Sequence, residues 1–271
     1  MAREPTPGTC AICLEHGKLS FEHVPPKSAY NNRAIRAWYG EAILDARNGA
    51  EKGYRIQQRG SGGMTLCVPC NRFCGKHYVP AFLELVTAAV PIVEAGHRSG
   101  LVYLKDVHAL AVGKQILAMF CSVQGPSLVE HTPWIGKLLL DTAAAGVPEG
   151  LRIFLGFTPD GGVARQSGFS SLIDLRGGSS RVFAELAFRP FVYVLCAESE
   201  PPDPRLIDVT WLLFERWGER RRIPLDLSIL SIASHLPGDY RRADELAAAV
   251  HENNERMVER AAREASKERG K

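Results

Sequence analysis

The sequence predicts an α+β protein in which a small, metal-organised N-terminal module precedes a larger α+β domain with a small antiparallel sheet. Two Cys-x-x-Cys pairs, Cys10–Cys13 and Cys67–Cys70, lie in the N-terminal part of the chain. Apolar residues recur at helical spacing from about residue 80 to 146, and β-rich runs separated by glycine turns follow from about 150 to 214. These observations predict two units, residues 1–78 and 79–271.

Length and composition are typical of an ordinary folded protein. The chain has 271 residues, which is enough for one large domain or two small ones. A hydrophobic content of 45% and a charged content of 23% exclude the composition of a disordered chain. The net charge of +3 and the pI near 8.5 are too mild to indicate a nucleic-acid partner by themselves.

The sequence also predicts where the protein resides. No apolar run approaches the roughly 20 residues of a membrane span. The first residues, Met-Ala-Arg-Glu-Pro-Thr-Pro, lack the apolar core of a secretory signal. We therefore expect a soluble, cytoplasmic protein with no membrane partner, whose seven cysteines are reduced.

Three helices are predicted to open the larger unit. The first covers Pro80–Glu94, and Pro91 lies inside it. The second begins with Asp106 as its N-cap and ends near Gly125. The third begins at Thr132, where a proline follows in the first turn, and it stops at residue 146.

The rest of this unit is predicted to contain a sheet and a closing helix. The turns between its strands are Asp160-Gly161-Gly162 and Gly177-Gly178. The predicted strands are Leu151–Phe157, Val182–Phe188, Phe191–Cys196 and, less regularly, Ile207–Phe214, and a charged helix follows at Arg241–Arg269. No catalytic motif is present in the sequence of this unit, so its role is inferred from position alone. The candidate roles are substrate recognition, signal sensing and homo-oligomerisation through this C-terminal domain.

The two cysteine pairs predict a structural zinc site formed by Cys10, Cys13, Cys67 and Cys70. Each pair places two thiolates a few ångströms apart, and two pairs complete a tetrahedral four-sulfur site. Such a site leaves no coordination position open for chemistry. The alternative is that these cysteines are buried apolar side chains.

A Glu-His dipeptide lies in the long segment between the cysteine pairs. The chain reads Leu19-Ser-Phe-Glu22-His23-Val-Pro-Pro-Lys-Ser28, and the second pair continues directly into Asn71. Over about residues 8–80 this order resembles the HNH endonuclease family, in particular its zinc-containing bacterial members of the ββα-metal type. In that family a second Cys-x-x-Cys-Asn opens the helix, and the resemblance implies two strands and a helix that hold one divalent cation over a scissile phosphate.

The residue types suit phosphodiester hydrolysis. A neutral imidazole with a pKa near 6.5 can deprotonate water, which makes His23 the candidate general base. Glu22 is a hard oxygen ligand suited to Mg²⁺ or Mn²⁺. The resemblance implies Asn71 as a further ligand; His77 is an alternative, although it lies nearly two helical turns away. Purely structural interpretations are the alternative, since a Glu-His beside prolines can be a solvated turn and Asn71 can cap its helix.

Two features differ from the family pattern: a middle asparagine is missing, and an additional Cys-x-x-His pair follows the second cysteine pair. The family usually has a middle asparagine shortly before the second cysteine pair, which orients the catalytic histidine through a backbone contact. Here the chain reads Arg59-Gly-Ser-Gly-Gly-Met-Thr-Leu-Cys67, and Ser61 or Asn48 are the candidate replacements. Cys74 and His77 form a Cys-x-x-His pair that could exchange into the zinc site, although Cys74 is better explained as a packed thiol.

The segment between His23 and Cys67 combines basic and aromatic residues. Basic side chains neutralise phosphates and aromatic faces stack on bases, so the segment is a candidate nucleic-acid surface. An insertion that packs its own small core is the alternative, and the Arg216–Arg222 cluster is a second, weaker candidate. The candidate contacts are Lys27, Arg33, Arg36, Trp38, Arg55 and Arg59, with Tyr39 beside them.

Three functional hypotheses follow. The first is a metal-dependent HNH-type endonuclease acting on nucleic acid, with DNA favoured. The second is a catalytically inactive, zinc-stabilised module that binds nucleic acid or protein, which the missing middle asparagine suggests. A third hypothesis places an unrelated enzyme in the C-terminal domain.

Overall fold

The computed structural model describes residues 6–40, 54–96, 101–148, 150–160, 162–173, 180–226 and 228–269. Over these ranges the chain is mixed α+β, as the sequence predicts. The described residues form small antiparallel sheets and six α-helices.

The N-terminal part folds as an antiparallel hairpin followed by a helix. The elements are β1 (Pro7–Thr9), β2 (His16–His23), β3 (Ile35–Ala37), β4 (Arg55–Gln57), β5 (Gly62–Cys67) and α1 (Val68–His77). Strand β2 pairs on both sides, which gives a three-stranded sheet in the order β1-β2-β5, and β3 and β4 form a separate two-stranded ribbon in the insertion. The helix starts directly after the last strand, because Cys67 ends β5 and is also the N-cap of α1.

The helices of the larger unit form where apolar spacing predicts them, with two corrections. They are α2 (Val79–Glu94), α3 (Ala109–Gln124), α4 (Ser127–His131) and α5 (Pro133–Leu140). The prediction that Asp106 caps α3 is wrong, because the N-cap is His108, whose Nδ1 accepts from the Ala111 amide at 3.4 Å. Residues Leu101–Val107 instead form strand β6, which pairs with β12 (Arg221–Asp226).

The helix predicted to stop at Gly146 ends earlier, at Leu140. The Nζ of Lys114, a fully buried side chain of α3, donates to the backbone oxygens of Asp141 at 2.6 Å and Thr142 at 3.1 Å. These bonds satisfy carbonyl groups just beyond the end of α5.

A five-stranded antiparallel sheet follows. Its order is β11-β7-β10-β9-β8, and its strands are β7 (Leu151–Phe157), β8 (Arg165–Ile173), β9 (Ser180–Phe188), β10 (Phe191–Ala197) and β11 (Ile207–Asp208). Three predicted strands are confirmed, and the polar strand β8 was not predicted. The strand expected over Ile207–Phe214 is confirmed only for Ile207–Asp208. The Asp208 carboxylate accepts from the amide and hydroxyl of Thr210, and a 3₁₀ helix, Thr210–Phe214, begins there. The Gly177-Gly178 turn lies outside the described residues.

The chain closes with helix α6 (Ala243–Arg269), which confirms the predicted charged helix. Its side chains Val250 and Met257 are exposed. No single helix in the described ranges is long and apolar enough to cross a membrane; α1 and α2 meet that test only as a pair, and they are bent by 49° at their junction.

One hydrophobic cluster extends through both predicted units. Ile12 and Leu66 of the N-terminal part belong to the same buried cluster as Phe82 of α2, Leu117 of α3 and Tyr193 of β10. Helix α3 is buried on nearly all sides, as expected for a helix at the centre of a core. A boundary at residue 78 stays a prediction, and the packing of the N-terminal part on α2 and α3 is continuous.

Candidate active site and metal centre

The four predicted zinc ligands lie together. Cys10 and Cys13 belong to the turn between β1 and β2, and Cys67 and Cys70 belong to the junction of β5 and α1. Their sulfur atoms all lie within 4.8 Å of one another, and the Cys13 and Cys67 sulfurs are 3.7 Å apart. Tetrahedral zinc with bonds of about 2.3 Å needs sulfurs about 3.8 Å apart. The group could therefore hold a metal ion such as zinc.

The charges within this group also fit a cation. A hydrogen bond with the Cys70 thiol lowers the pKa of Cys10 to about 4. Burial raises the pKa of Cys13 to about 11, while the hydrogen bond to Cys10 and then burial raise the pKa of Cys70. Four adjacent sulfurs therefore cannot all ionise together without a positive charge among them. A divalent cation supplies that charge, so the donor set fits a metal chemically as well as geometrically.

Cys74 and His77 lie outside the four-sulfur group. Cys74 is buried, and burial first and then the charge of Glu22 raise the pKa of its thiol to about 12. The His77 ring packs against Phe73 at 4.6 Å and faces Trp217 at 6.3 Å between ring centroids. Six residues of α-helix turn His77 away from the face that bears Asn71. The structure therefore does not bring His77 to the Asn71 side of α1.

Glu22 and His23 end strand β2 opposite two glycines. Glu22 pairs with Gly63, and His23 pairs with Gly62. Cross-strand neighbours normally place side chains about 5 Å apart, but glycine has none. Gly62 has a φ of +156°, and a Cβ atom there would lie 2.0 Å from the Glu22 carbonyl oxygen. The glycine-rich stretch thus leaves the carboxylate and the imidazole without side chains across the hairpin.

The His23 ring is held by a backbone carbonyl. Its Nε2 lies 3.0 Å from the carbonyl oxygen of Arg59. Because a carbonyl only accepts, Nε2 carries the proton and Nδ1 keeps a free lone pair. Burial lowers the pKa of His23, and the charges of Lys27 and Arg59 lower it further, against the opposing effect of the Arg59 hydrogen bond. The imidazole is therefore neutral at pH 7, as a general base requires.

Glu22 is a half-buried carboxylate whose charge is not compensated. Burial raises its pKa to about 7. Within the described part of the chain it has neither a hydrogen-bond donor nor an ion-pair partner, although its charge acts on Cys74 of α1. A bound cation would favour the ionised form of the carboxylate, so Glu22 is suited to act as an oxygen ligand of a cation.

Asn71 joins the helix to strand β2. Its Nδ2 donates to the hydroxyl of Ser20 at 3.1 Å and to the carbonyl of Phe21 at 3.2 Å. These bonds orient the amide and leave Oδ1 without a donor in the described ranges. Ser20 and Glu22 lie on the same face of β2. The structure therefore places Glu22 and Asn71 on one side of the hairpin, while the His23 ring turns towards Arg59.

Asn31 links the loop after His23 to the loop before β5. This buried residue donates from Nδ2 to the carbonyls of Pro25 at 2.6 Å and Ser61 at 2.7 Å, and its Oδ1 accepts from the Ser61 amide at 2.7 Å. It thus ties the chain after His23 to the chain before β5. Of the two candidate replacements for the middle asparagine, Ser61 takes part in this link through its backbone, and Asn48 lies outside the described residues.

Gly60 permits this connection. It has a φ of +87°, and a Cβ there would lie 2.2 Å from Oδ1 of Asn31. Any side chain at this position would displace the amide that links the two loops. Sequence reasoning missed Asn31 because an asparagine far from the second cysteine pair is ordinarily interpreted as a turn residue.

Replacing Asn31 by alanine is expected to destabilise the protein by about 3 kcal/mol, because it leaves the Pro25 carbonyl and the Ser61 amide without partners and removes one of the two donors to the Ser61 carbonyl. The Arg59 carbonyl should also shift relative to His23. Chemical denaturation measures the loss of stability. Asn32→Ala, an exposed neighbour, is the matched control, and equal stability of the two variants would contradict this role for Asn31.

Replacing Glu22 by glutamine is expected to stabilise the protein above pH 7 in buffer without Mg²⁺ or Mn²⁺. The folded state keeps the Glu22 proton up to about pH 7, whereas the ordinary pKa is 4.5, so wild-type stability falls as the pH rises through this interval. Each pKa unit corresponds to about 1.4 kcal/mol, so the gain at pH 8 is about 2–3 kcal/mol, and it vanishes near pH 4. Denaturation at both pH values, beside the exposed Glu15→Gln control, measures it; parallel curves would refute the uncompensated carboxylate.

The candidate nucleic-acid contacts are exposed, with one exception. No acidic residue occurs in residues 24–40 or 54–60, and no ion pair involves their basic side chains within the described ranges. Trp38 instead packs against Tyr54 at 5.6 Å, so the small insertion has its own aromatic contact, whereas Tyr39 is 53% exposed. The exposed basic residues are Lys27, Arg33, Arg36, Arg55 and Arg59.

Two of the four arginines in the second basic cluster, Arg216–Arg222, form ion pairs in the described structure. Arg220 pairs with Glu84 at 3.0 Å, and Arg221 pairs with Glu215 at 2.7 Å. Within the part of the chain that the structure describes, the basic side chains of the insertion are therefore less neutralised than this second cluster. Comparisons of the chain with protein-family models, curated proteins and solved structures gave no match.

Proposed function

We propose that this chain is a metal-dependent HNH-type endonuclease that hydrolyses phosphodiester bonds of nucleic acid, with DNA favoured. One observation carries the proposal. At the end of the β2–β5 hairpin, the His23 ring is oriented by the Arg59 carbonyl, while the Glu22 carboxylate and the tethered Asn71 amide lie on one side of the hairpin. Different residues would thus serve the structural and the catalytic roles.

The four-cysteine group is proposed to hold structural zinc. Four sulfur ligands close the coordination sphere, so this ion would have no position for water or substrate. Its proposed role is to fix the β1–β2 turn against the start of α1. That connection sets the position of Asn71, which directly follows Cys70.

The catalytic cation is proposed to lie between strand and helix. The Glu22 carboxylate and Asn71 Oδ1 would hold it, since both are oxygen donors of the kind that Mg²⁺ and Mn²⁺ prefer. When bound, such a cation neutralises charge that develops on the phosphate and stabilises the leaving oxygen. The packing of His77 on Trp217 supports Asn71 rather than His77 as the helix ligand.

His23 is proposed to activate the attacking water. The ring nitrogen that does not bond Arg59 accepts the proton of water, and the Arg59 carbonyl stabilises the imidazolium that results. The exposed basic side chains of the insertion would neutralise flanking phosphates, and the exposed Tyr39 ring would contact a base.

Incubation with supercoiled plasmid, single-stranded DNA and RNA tests the proposal. Purified protein should nick plasmid in Mg²⁺ or Mn²⁺, and brief removal of these ions, with the cysteine-bound metal retained, should stop cleavage. Binding without cleavage under every cation condition would refute the nuclease and favour the inactive binding module instead.

A double variant, Arg33→Ala with Arg36→Ala, tests the basic surface. Loss of two phosphate contacts should weaken DNA binding by about 10-fold or more at moderate salt and reduce the slope of log K against log salt by about 2. Fluorescence anisotropy at several salt concentrations measures both quantities. Lys105→Ala, an exposed lysine on β6, controls for charge alone; an unchanged slope in the double variant would exclude these contacts.

A further inference from the structure

The five-stranded sheet contacts the loop that follows His23. Gln166 of β8 donates from Nε2 to the carbonyl oxygen of Val24 at 2.6 Å, across 142 residues of sequence. The Val24 amide donates to the Ser61 carbonyl at 3.1 Å. The residue directly after His23 is therefore held on two sides, once by the hairpin and once by the sheet.

The start of β8 is itself firmly anchored. Arg165, the neighbour of Gln166, forms two hydrogen bonds with the buried Glu185 carboxylate, at 2.5 and 3.1 Å. Oε2 of Glu185 also accepts from the Tyr240 hydroxyl at 2.7 Å and from the Gly238 amide at 2.8 Å. A charge pair with every oxygen occupied in this way is stable and well ordered.

The alternation of side chains along β8 connects the anchored Arg165 with the loop that follows His23. Successive side chains of a strand point to opposite faces, so Arg165 reaches into the sheet interior while Gln166 faces the His23 loop. Val24 and His23 share a peptide bond, and a displaced Val24 carbonyl moves the backbone that carries the imidazole.

We infer that Gln166 is a positioning residue that holds the His23 backbone through the Val24 carbonyl. The inference rests on the proposed nuclease function and gives the C-terminal region a part in it: the sheet completes the catalytic loop. A misplacement of about 1 Å can cost a reaction about 100-fold, so a single hydrogen bond at this position has a measurable effect.

Three variants separate positioning from packing. Gln166→Leu removes the donor, and Gln166→Glu keeps the shape but presents only acceptors to the Val24 carbonyl. Gln166→Lys keeps an N–H donor and should restore the contact. Ser171→Ala, on an exposed part of the same strand, is the matched control, and thermal unfolding of each variant checks the fold.

Plasmid cleavage in Mn²⁺ and hydrogen exchange of the Val24 amide are measured together. We expect Gln166→Leu and Gln166→Glu to lower kcat about 10-fold with KM within about twofold and to speed Val24 exchange, and Gln166→Lys to recover both. Unchanged kcat, or a loss that Gln166→Lys does not recover, would overturn the inference.

The exchange measurement keeps the two proposals distinguishable. If the wild-type protein cleaves no substrate, the nuclease proposal fails, and Val24 exchange alone decides whether Gln166 holds the loop. Equal exchange in wild-type and Gln166→Leu proteins overturns the contact whether or not the protein is a nuclease.

Discussion

Replacing His23 by alanine is expected to lower kcat for phosphodiester cleavage by about 10²–10⁴-fold, the usual contribution of a general base. His23 belongs neither to the four-cysteine group nor to the buried hydrophobic clusters, so folding and the metal content of that group should be unchanged. Cation binding by Glu22 and Asn71 should also persist, because His23 supplies no ligand in the proposed arrangement. Steady-state cleavage of plasmid measures the loss.

The pH dependence sharpens this expectation. His23 acts when neutral, so wild-type activity should rise with pH through a pKa below the ordinary 6.5 when the divalent cation is saturating. At limiting cation the acid limb should move upward towards pH 7, because protons then compete with the cation for Glu22. His16→Ala, an exposed histidine of the same strand, is the control. Equal activity of the His23 and His16 variants would remove His23 from the mechanism.

Replacing Cys67 by serine is expected to abolish metal binding by the four-cysteine group. Structural zinc sites contribute about 10–16 kcal/mol, whereas whole domains are stable by only about 5–15 kcal/mol. Loss of one thiolate should therefore lower the melting temperature by about 20 °C or more. Metal analysis of the purified protein and thermal unfolding measure the two effects.

Cys121→Ala controls for the loss of any buried sulfur. Cys121 is buried in α3 outside the four-sulfur group, so its replacement should retain the metal and cost about 1–2 kcal/mol for the small cavity. If the Cys67 variant kept its metal and its melting temperature, the four-sulfur site would be excluded.

Sequence patterns predicted the elements whose signals are local. Strand β7 is apolar along a continuous run, and α2 has helical apolar spacing with proline in its first turn, so both were predicted almost at their observed bounds. Strand β8 is polar and lies at the edge of its sheet, so it shows little of the apolar pattern that marks a strand. Strand β6 was hidden because Asp106 has the composition of a helix cap and tertiary pairing with β12 overrides it.

The candidate site divides in the same way. The cysteine pairs could be predicted because their ligand spacing is local within each knuckle, and the structure confirms that all four lie together. Three contributions to the site could not be predicted: those of Asn31, the Arg59 carbonyl and Gln166. Each takes part in a hydrogen bond between a side chain and a backbone atom that lie 30 or more residues apart. A backbone carbonyl leaves no signal in the sequence at all.

The continuous core connects the four-cysteine group with the central sheet. Because Ile12 and Leu66 share a cluster with Tyr193 of the central sheet, local melting around the cysteines removes packing that the sheet requires. Binding free energy at the cysteines then enters the folding equilibrium of all these elements, by about RT ln(1 + [metal]/Kd). A chelator should accordingly expose strands β9 and β10 to protease, although neither contains a cysteine of the group. With zinc as the proposed ion, the zinc concentration would thus set the fraction of the protein that is folded.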